Sequence, residues 1–157
     1  LQYFDPELEE SYVPYVVETS IGLDRMFLTV LSHAFREEKL ENGESRVVLK
    51  IPALLAPIKA AILPLTKKDR MPDKAREIMK SLQIDFNCQY EEKDSIGKRY
   101  RRQDAIGTAF CITVDHQTLE DNTVTIRDRD TMEQERVSVE KLHSIIAEKV
   151  NIAKYLA

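Results

Sequence analysis

The sequence feature that most limits the fold of this chain is a nearly continuous apolar run at residues 58–65. A strand has this composition when helices cover both faces of its sheet, as they do in parallel sheets. Residues 72–82 follow with apolar positions at helical spacing, and Pro72 falls in the first turn, where its missing N–H costs little. The run therefore predicts a buried strand followed by a covering helix.

The elements after this first pair continue to alternate between strand and helix. They are a strand at 84–90, a helix at 95–105 that Gly107 ends, a strand at 110–114, a hairpin of 123–127 with 136–139, and a last helix that Ser138 caps. Strands joined through helices pair in parallel, whereas the closing hairpin adds an antiparallel edge. We therefore expect residues 52–157 to form an α/β domain with a mixed, mostly parallel five-stranded sheet and three flanking helices.

Residues 1–51 do not fit into that sheet. Residues 11–17 have the alternating apolar pattern of a strand, and apolar residues recur at helical spacing over 23–35. The charged stretch at 37–46, residues 47–51 and the breaks at Pro52 and Pro57 together predict a linker between units. A buried strand needs sheet neighbours that this short stretch does not provide. We expect residues 1–51 to be the strand and helix at the end of another domain, in a chain cut from a larger protein.

Composition limits the classes of protein to which the chain can belong. No apolar stretch reaches the roughly 18 residues that a membrane span needs, and no signal-peptide pattern is present, so we expect a soluble, cytoplasmic protein without membrane contact. Cys88 and Cys111 lie in apolar, strand-like stretches and predict buried, reduced thiols. His33, His116 and His143 lack the spacing of metal ligands, and no metal site is expected.

The net charge of −4 conceals an uneven distribution along the chain. Residues 1–51 contain 5 Lys and Arg against 10 Asp and Glu, whereas residues 52–157 contain 18 against 17. Any nucleic-acid contact is therefore expected to be a local patch on the second part. The basic run at 98–102 is the best candidate, because Lys98 shares one side of a helix with Arg101 and Arg102, although an ordinary solvated surface explains the same charges.

Two other stretches place charge where a ligand could bind. Glu18 and Ser20 leave the end of a predicted strand and Arg25 lies one turn into the next helix, which suits a nucleotide phosphate but also a simple ion pair. Arg127 and Arg129 share one face of a strand end, where they could read base edges or pair with neighbouring aspartates. No Walker loop, nucleophile elbow or Cys/His pairing occurs, so a free-standing enzyme is not expected.

Three longer stretches resemble a known family. Residues 12–25, YVPYVVETSIGLDR, resemble the third signature motif of the class II aminoacyl-tRNA synthetases in the form that glycyl-tRNA synthetases use. Residues 99–111 and 118–130 resemble the C-terminal anticodon-binding domain of the same enzymes. The first and second motifs of the class are absent. The resemblance thus implies a fragment, with the end of the catalytic domain at 1–51 and the anticodon-binding domain at 52–157, that does not form an adenylate alone.

The resemblance also implies roles for single residues in the first part. The full-length enzymes activate glycine with ATP and Mg²⁺ and then charge their tRNA, usually as homodimers, while the fragment would need no cofactor. Arg25 falls where the family places a catalytic arginine on the ATP phosphates. Glu18 and Ser20 fall where the glycine and adenylate pocket is shaped.

For the second part the resemblance implies contacts with tRNA. The expected anticodon or tRNA-binding residues are Lys98, Arg101, Arg102, Glu120, Arg127 and Arg129. Glycine anticodons carry two cytosines, and Glu120 could accept a hydrogen bond from a cytosine amino group. The alternative is a non-catalytic, synthetase-like accessory or regulatory subunit that binds nucleic acid or protein.

Overall fold

The computed structural model of the chain describes residues 2–40 and 43–156. The first part contains β1 (Tyr3–Asp5), β2 (Glu10–Tyr12), α1 (Leu23–Ala34), β3 (Phe35–Lys39) and β4 (Ser45–Leu49). The second part contains β5 (Ala60–Pro64), α2 (Met71–Leu82), β6 (Cys88–Tyr90), α3 (Ile96–Ile106), β7 (Phe110–Val114), α4 (His116–Asp121), β8 (Thr123–Asp128), β9 (Gln134–Ser138), a 3-10 turn (Val139–Lys141), α5 (Leu142–Val150) and α6 (Ala153–Leu156).

Five strands form the central sheet, in the order β6-β5-β7-β8-β9. Strand β5 runs parallel to both β6 and β7, whereas β8 runs antiparallel to both β7 and β9. This arrangement confirms the predicted mixed sheet of an α/β domain, with one parallel half and one antiparallel half.

The two faces of the sheet are covered to different extents. Helices α2 and α5 pack on one face, where the main core includes Ile62, Ile112, Ile126, Ile78 and Ile146. Helix α3 packs on the opposite face and covers β5 and β7 through a smaller cluster of Ala61, Leu63 and Cys111, with Ile96 and Tyr100 at its margin. The antiparallel half of this second face carries polar side chains instead, among them Thr125, Arg127 and Arg136.

Helix α3 ends where the sequence predicts. Gly107 adopts φ +81°, and its N–H donates to the carbonyl of Asp104. A Cβ on Gly107 would lie 3.1 Å from the Leu49 carbonyl oxygen, so glycine is required both by the backbone angle and by the close approach of β4.

The N-terminal expectations are partly wrong. Residues 13–22 contain no regular strand, because none of the described residues pairs with them, whereas helix α1 begins at Leu23 as the apolar spacing predicts. Within the predicted linker, residues 37–39 and 45–49 belong to β3 and β4, an antiparallel hairpin in which Phe35 pairs with Leu49 and Lys39 with Ser45. Alternation of buried and exposed positions along β4 explains the hairpin, since Arg46 and Val48 face inward.

Two features of the second part also differ from the prediction. Residues 84–87 form a turn, and β6 starts only at Cys88. Helix α4 was absent from the prediction because its six residues are too short to show an apolar period. It is held instead by a capping box, in which Asp115 accepts from the Thr118 N–H at 3.0 Å and Thr118 Oγ1 accepts from the Asp115 N–H at 3.1 Å.

Both cysteines are free and buried, as predicted. Burial raises the pKa of Cys88 to about 11 and that of Cys111 to about 12, so both thiols stay protonated at neutral pH.

Candidate nucleic-acid interface

A groove of about 390 Å³ runs between the start of α3 and the adjoining ends of β8 and β9. Its walls bring together Lys98, Arg101 and Arg127, three of the six residues expected to contact tRNA. The other residues that line it are Glu44, Gly97, Tyr100, Met132 and Gln134. The groove therefore combines cations, an aromatic ring and an amide, which are the groups that bind unpaired nucleotides.

Sheet register explains why these side chains meet. Arg127 on β8 lies opposite Gln134 on β9, and in the next row Thr125 lies opposite Arg136. Because side chains on a strand alternate between faces, all four point to the face of the sheet on which α3 lies. The apolar residues between them, Val124 and Ile126, point into the main core, so the polar face results directly from the alternation along β8.

Arg127 forms the floor of the groove rather than a free contact. Its Nη1 and Nη2 donate to the two carboxylate oxygens of Asp104 at 2.8 and 3.0 Å, and its side chain is 4% exposed. Its guanidinium carbon lies 4.9 Å from the centre of the Tyr100 ring, a cation–π contact. Burial lowers the pKa of Arg127, but its hydrogen bonds to the Asp104 carboxylate and the attraction of that negative charge together outweigh burial and raise the pKa.

Tyr100 forms one wall of the groove. Its hydroxyl and the Thr113 hydroxyl lie 2.7 Å apart and share a hydrogen bond, which fixes the ring against the sheet. Burial raises the pKa of Tyr100, so the ring stays neutral and can stack on a base.

Arg129 lies outside the groove and joins three parts of the chain. Its guanidinium donates to the Gly107 carbonyl at 2.9 Å, to the Ile51 carbonyl at 2.6 Å and to Asp130 at 2.8 Å. The expectation that Arg127 and Arg129 emerge from the sheet is wrong, because both guanidiniums are buried against internal acceptors. Pairing with a neighbouring aspartate, the alternative stated for this stretch, is the arrangement that Arg129 adopts.

The basic side chains of α3 differ in their exposure and in their partners. Lys98 is exposed and makes no hydrogen bond or ion pair with the described residues. Arg101 is half-exposed, with Glu44 at 3.9 Å and Asp104 at 4.0 Å. Of the five residues at 98–102, these two cations face the groove.

The other two arginines of α3 serve the fold. Arg99 is buried and donates to the Pro64 carbonyl at 2.7 Å, at the end of β5. Arg102 is exposed but forms ion pairs with Glu91 and, at 3.0 Å, with Asp94, and the hydrogen bond to Glu91 raises its pKa. The role expected for Arg102 in holding RNA phosphate stays a prediction, with two carboxylates competing for its charge.

Glu120 occupies a separate cleft. It is exposed on α4 and lines a cavity of about 450 Å³ with Thr118 of the same helix and with Arg70 and Lys74 of the α2 side. Helix α4 leads into the start of β8, whereas the groove lies at its end, about 17 Å away at the usual rise of a strand. Glu120 and the groove could therefore contact different nucleotides of one loop but not the same base.

The residues expected to bind ATP are not assembled into a pocket. Glu18, Ser20 and Arg25 are all exposed, and no ion pair joins Glu18 to Arg25 in the part of the chain that the structure describes. Nor do the described residues contain a group of His, Cys, Asp and Glu placed to hold a metal. These three side chains do not by themselves fit a nucleotide with its magnesium.

Sequence reasoning missed several residues that shape the groove. Asp104, Gln134 and Arg46 had no assigned role, although one signal was available for the first. An aspartate at the inward side of a basic helix, with a basic strand end nearby in the chain, predicts a buried ion pair.

Comparison with known proteins now decides the family. A family model described as an anticodon binding domain matches residues 59–149. The chain belongs to the anticodon-binding domain family. The match includes α3, β8 and β9 and therefore every residue that lines the groove except Glu44.

The most informative relatives are two bacterial proteins, each named glycine–tRNA ligase. The chain is 55% identical to that of Clostridium tetani and 51% identical to that of Chlorobaculum tepidum, over 96% of its own length. It spans about a third of the length of these relatives, at 32%. An RNA-binding domain of threonyl-tRNA synthetase from Cryptosporidium parvum matches 64% of the chain with a TM-score of 0.58 and 21% identity, which shows a shared fold.

The helices give one further finding. Among the residues that the structure describes, none forms a helix with the length and apolar character needed to cross a membrane.

Proposed function

We propose that this chain is the C-terminal part of a glycine–tRNA ligase and that its groove binds the anticodon loop of a glycine tRNA. The observation that carries the proposal is the similarity to glycine–tRNA ligases over 96% of the chain. The alternative of a non-catalytic accessory subunit is not favoured, because the relatives are named as ligases.

The chemistry of the groove suits a single-stranded RNA loop. Lys98 and Arg101 supply two cations for phosphates, and the Tyr100 ring supplies a stacking surface. Gln134, exposed opposite Arg127, has both a donor and an acceptor for a base edge. Because unpaired bases offer their edges only in loops, the groove fits the anticodon better than a duplex stem.

The first experiment measures binding of an anticodon stem-loop across a salt series, with two cytosines at the second and third anticodon positions or with purines in their place. Tighter binding of the cytosine loop is the expected result. Equal binding of both loops would show that the groove only makes nonspecific contacts with phosphates. No binding even at low salt would contradict the proposal.

A pair of lysine variants localises the contact. Lys98→Ala should weaken binding to every loop and lower the salt slope by about 1, as loss of one phosphate contact requires. The matched control is Lys80→Ala, since Lys80 is an exposed lysine on α2, on the opposite side of the sheet. Equal effects of the two variants would place the RNA elsewhere.

Specificity is tested at two other positions. Glu120→Gln should reduce the preference for cytosine more than the overall affinity if the carboxylate accepts from a cytosine amino group. Gln134→Ala tests the groove in the same way. A loss of preference with only one of the two variants identifies the cleft or the groove as the site that reads cytosine.

The activity of the longer protein is part of the same proposal. We infer that it activates glycine with ATP and Mg²⁺ and charges tRNA as a cytoplasmic homodimer, with Arg25 on the ATP phosphates and Glu18 and Ser20 near the adenylate. The exposure of apolar side chains in the first part supports a missing partner surface, since Val17 is 95% and Leu23 79% exposed. In the longer protein, Arg25→Ala should abolish ATP–pyrophosphate exchange without changing stem-loop affinity.

The packing of the β3–β4 hairpin bears on the position of the domain boundary. Strand β4 packs against α3, and its Arg46 donates to Asp104 of that helix. We propose that the anticodon-binding unit begins near residue 35 and not at 52. Limited proteolysis should then leave the hairpin attached to the resistant fragment, whereas a cut between the hairpin and β5 would support the original boundary.

A further inference from the structure

Arg46 lies outside the region matched by the family model, yet its side chain reaches the centre of the domain. It sits on β4, is 2% exposed, and donates from Nη1 to Asp104 at 3.1 Å and to the Arg129 carbonyl at 2.9 Å. On its other side, its Nε donates to Glu38 of β3 at 2.8 Å. One guanidinium thus joins the hairpin, α3 and the end of β8.

Asp104 transmits this contact to the groove. It is fully buried, and its two oxygens receive three bonds, one from Arg46 and two from Arg127. A carboxylate shared by two guanidiniums has no freedom to turn without breaking a bond to one of them. The position of the Arg127 side chain therefore depends on Arg46, although these two arginines do not touch.

Arg127 in turn sets the wall of the groove. Its guanidinium lies under the Tyr100 ring and occupies the floor between Lys98 and Gln134. A shift of the floor would change the stacking surface and the depth available to a base.

We propose that Arg46 is a positioning residue for the groove and acts through Asp104 on Arg127 and Tyr100. The proposal rests on the proposed function only for its effect on RNA, since the position of Tyr100 can be measured without RNA. It also makes the β3–β4 hairpin, which continues directly from α1, a mechanical link between the first part of the chain and the RNA-facing surface.

The test labels the protein with 3-fluorotyrosine and follows the fluorine resonance of Tyr100, assigned through Tyr100→Phe. Arg46→Met removes the link. Glu38→Gln is the milder second variant, because Glu38 is part-exposed and holds Arg46 from the surface. Val48→Ala is the matched control, since Val48 is buried on the same face of β4 but makes no polar bond to Asp104.

The expected result is a displaced Tyr100 resonance in Arg46→Met and Glu38→Gln, but not in Val48→Ala, with the other tyrosine signals unchanged in all three. The cytosine stem-loop should bind about fivefold more weakly to Arg46→Met at equal folded fraction, within the range of such indirect couplings. Arg46→Lys should recover part of the affinity, because one ammonium can still reach Asp104.

Two outcomes separate the proposals. A Tyr100 resonance that is the same in Glu38→Gln, Arg46→Met and Val48→Ala would overturn the positioning role. If the wild-type chain fails to bind either stem-loop, the proposed function fails, while the fluorine resonance still decides whether Arg46 positions the groove.

Discussion

Removal of the Asp104 carboxylate should be the most destabilising single change in the described fold. Asp104 is fully buried and bonds to two guanidiniums that are themselves 2% and 4% exposed. In Asp104→Ala the Arg127 guanidinium remains buried without its counter-charge, whereas Arg46 keeps its ion pair with Glu38. Loss of one partner from a buried ion pair costs about 3–5 kcal/mol.

The loss can be measured by urea unfolding, followed by far-ultraviolet circular dichroism. In a chain of this size, that free energy corresponds to a fall in Tm of roughly 6–20 °C. Asp94→Asn is the control, because it removes an exposed ion pair with Arg102 at 3.0 Å while asparagine tolerates the φ of +70° at this position, and it should leave the midpoint unchanged.

A triple replacement tests the same reasoning from the other direction. Asp104→Leu combined with Arg46→Met and Arg127→Met removes all three charges, and it should be more stable than Asp104→Ala because no unpaired cation remains. A loss below about 1 kcal/mol in Asp104→Ala would refute the argument, since it would mean that water or another acceptor reaches the Arg127 guanidinium.

Three other predictions follow from single sites. Gly107→Ala should lower the stability by about 1–2 kcal/mol in urea unfolding, because alanine is strained at φ +81° and its Cβ would meet the Leu49 carbonyl at 3.1 Å. The Cys111 thiol, whose pKa burial raises to about 12, should not react with a thiol reagent in the native protein at neutral pH and should react fully in urea. A hydrogen bond from Arg136 holds the pKa of Asp115 below its ordinary value of 3.8, so this pair stabilises the fold above that pH and loses its effect as the pH falls through the lower folded value. The stability difference between the wild type and Arg136→Met should therefore shrink in acid, and a constant difference would contradict the assignment.

The central sheet could be predicted from the sequence because burial alone produces the apolar patterns of its strands. The apolar run at 58–65 and the alternation along β8 both follow from burial, which the composition of a strand records directly. The end of α3 could also be predicted, because a helix often ends at a glycine, which adopts the positive φ of Gly107 without strain. These elements needed no knowledge of their neighbours.

The parts that were mispredicted depend on contacts between distant residues. A strand at 11–17 was expected from its alternation, but a strand exists only with a partner to pair with, and the described chain has none for residues 13–17. The sequence also could not predict that Arg127 is buried and Lys98 exposed. Both are basic residues in basic stretches, yet one is buried on a carboxylate from another helix and the other is exposed, and only tertiary packing separates them.

The hairpin contact also bears on how such domains can be exchanged between proteins. The acceptors of Arg129 include the carbonyl of Ile51, and Asp104 depends on Arg46, so two bonds of the RNA-facing unit come from residues that precede β5. A graft that joined residues 52–157 to a different catalytic body would leave one buried carboxylate short of a donor and one guanidinium short of an acceptor. A hybrid synthetase built with the hairpin included would keep both, and the junction would then fall between α1 and β3.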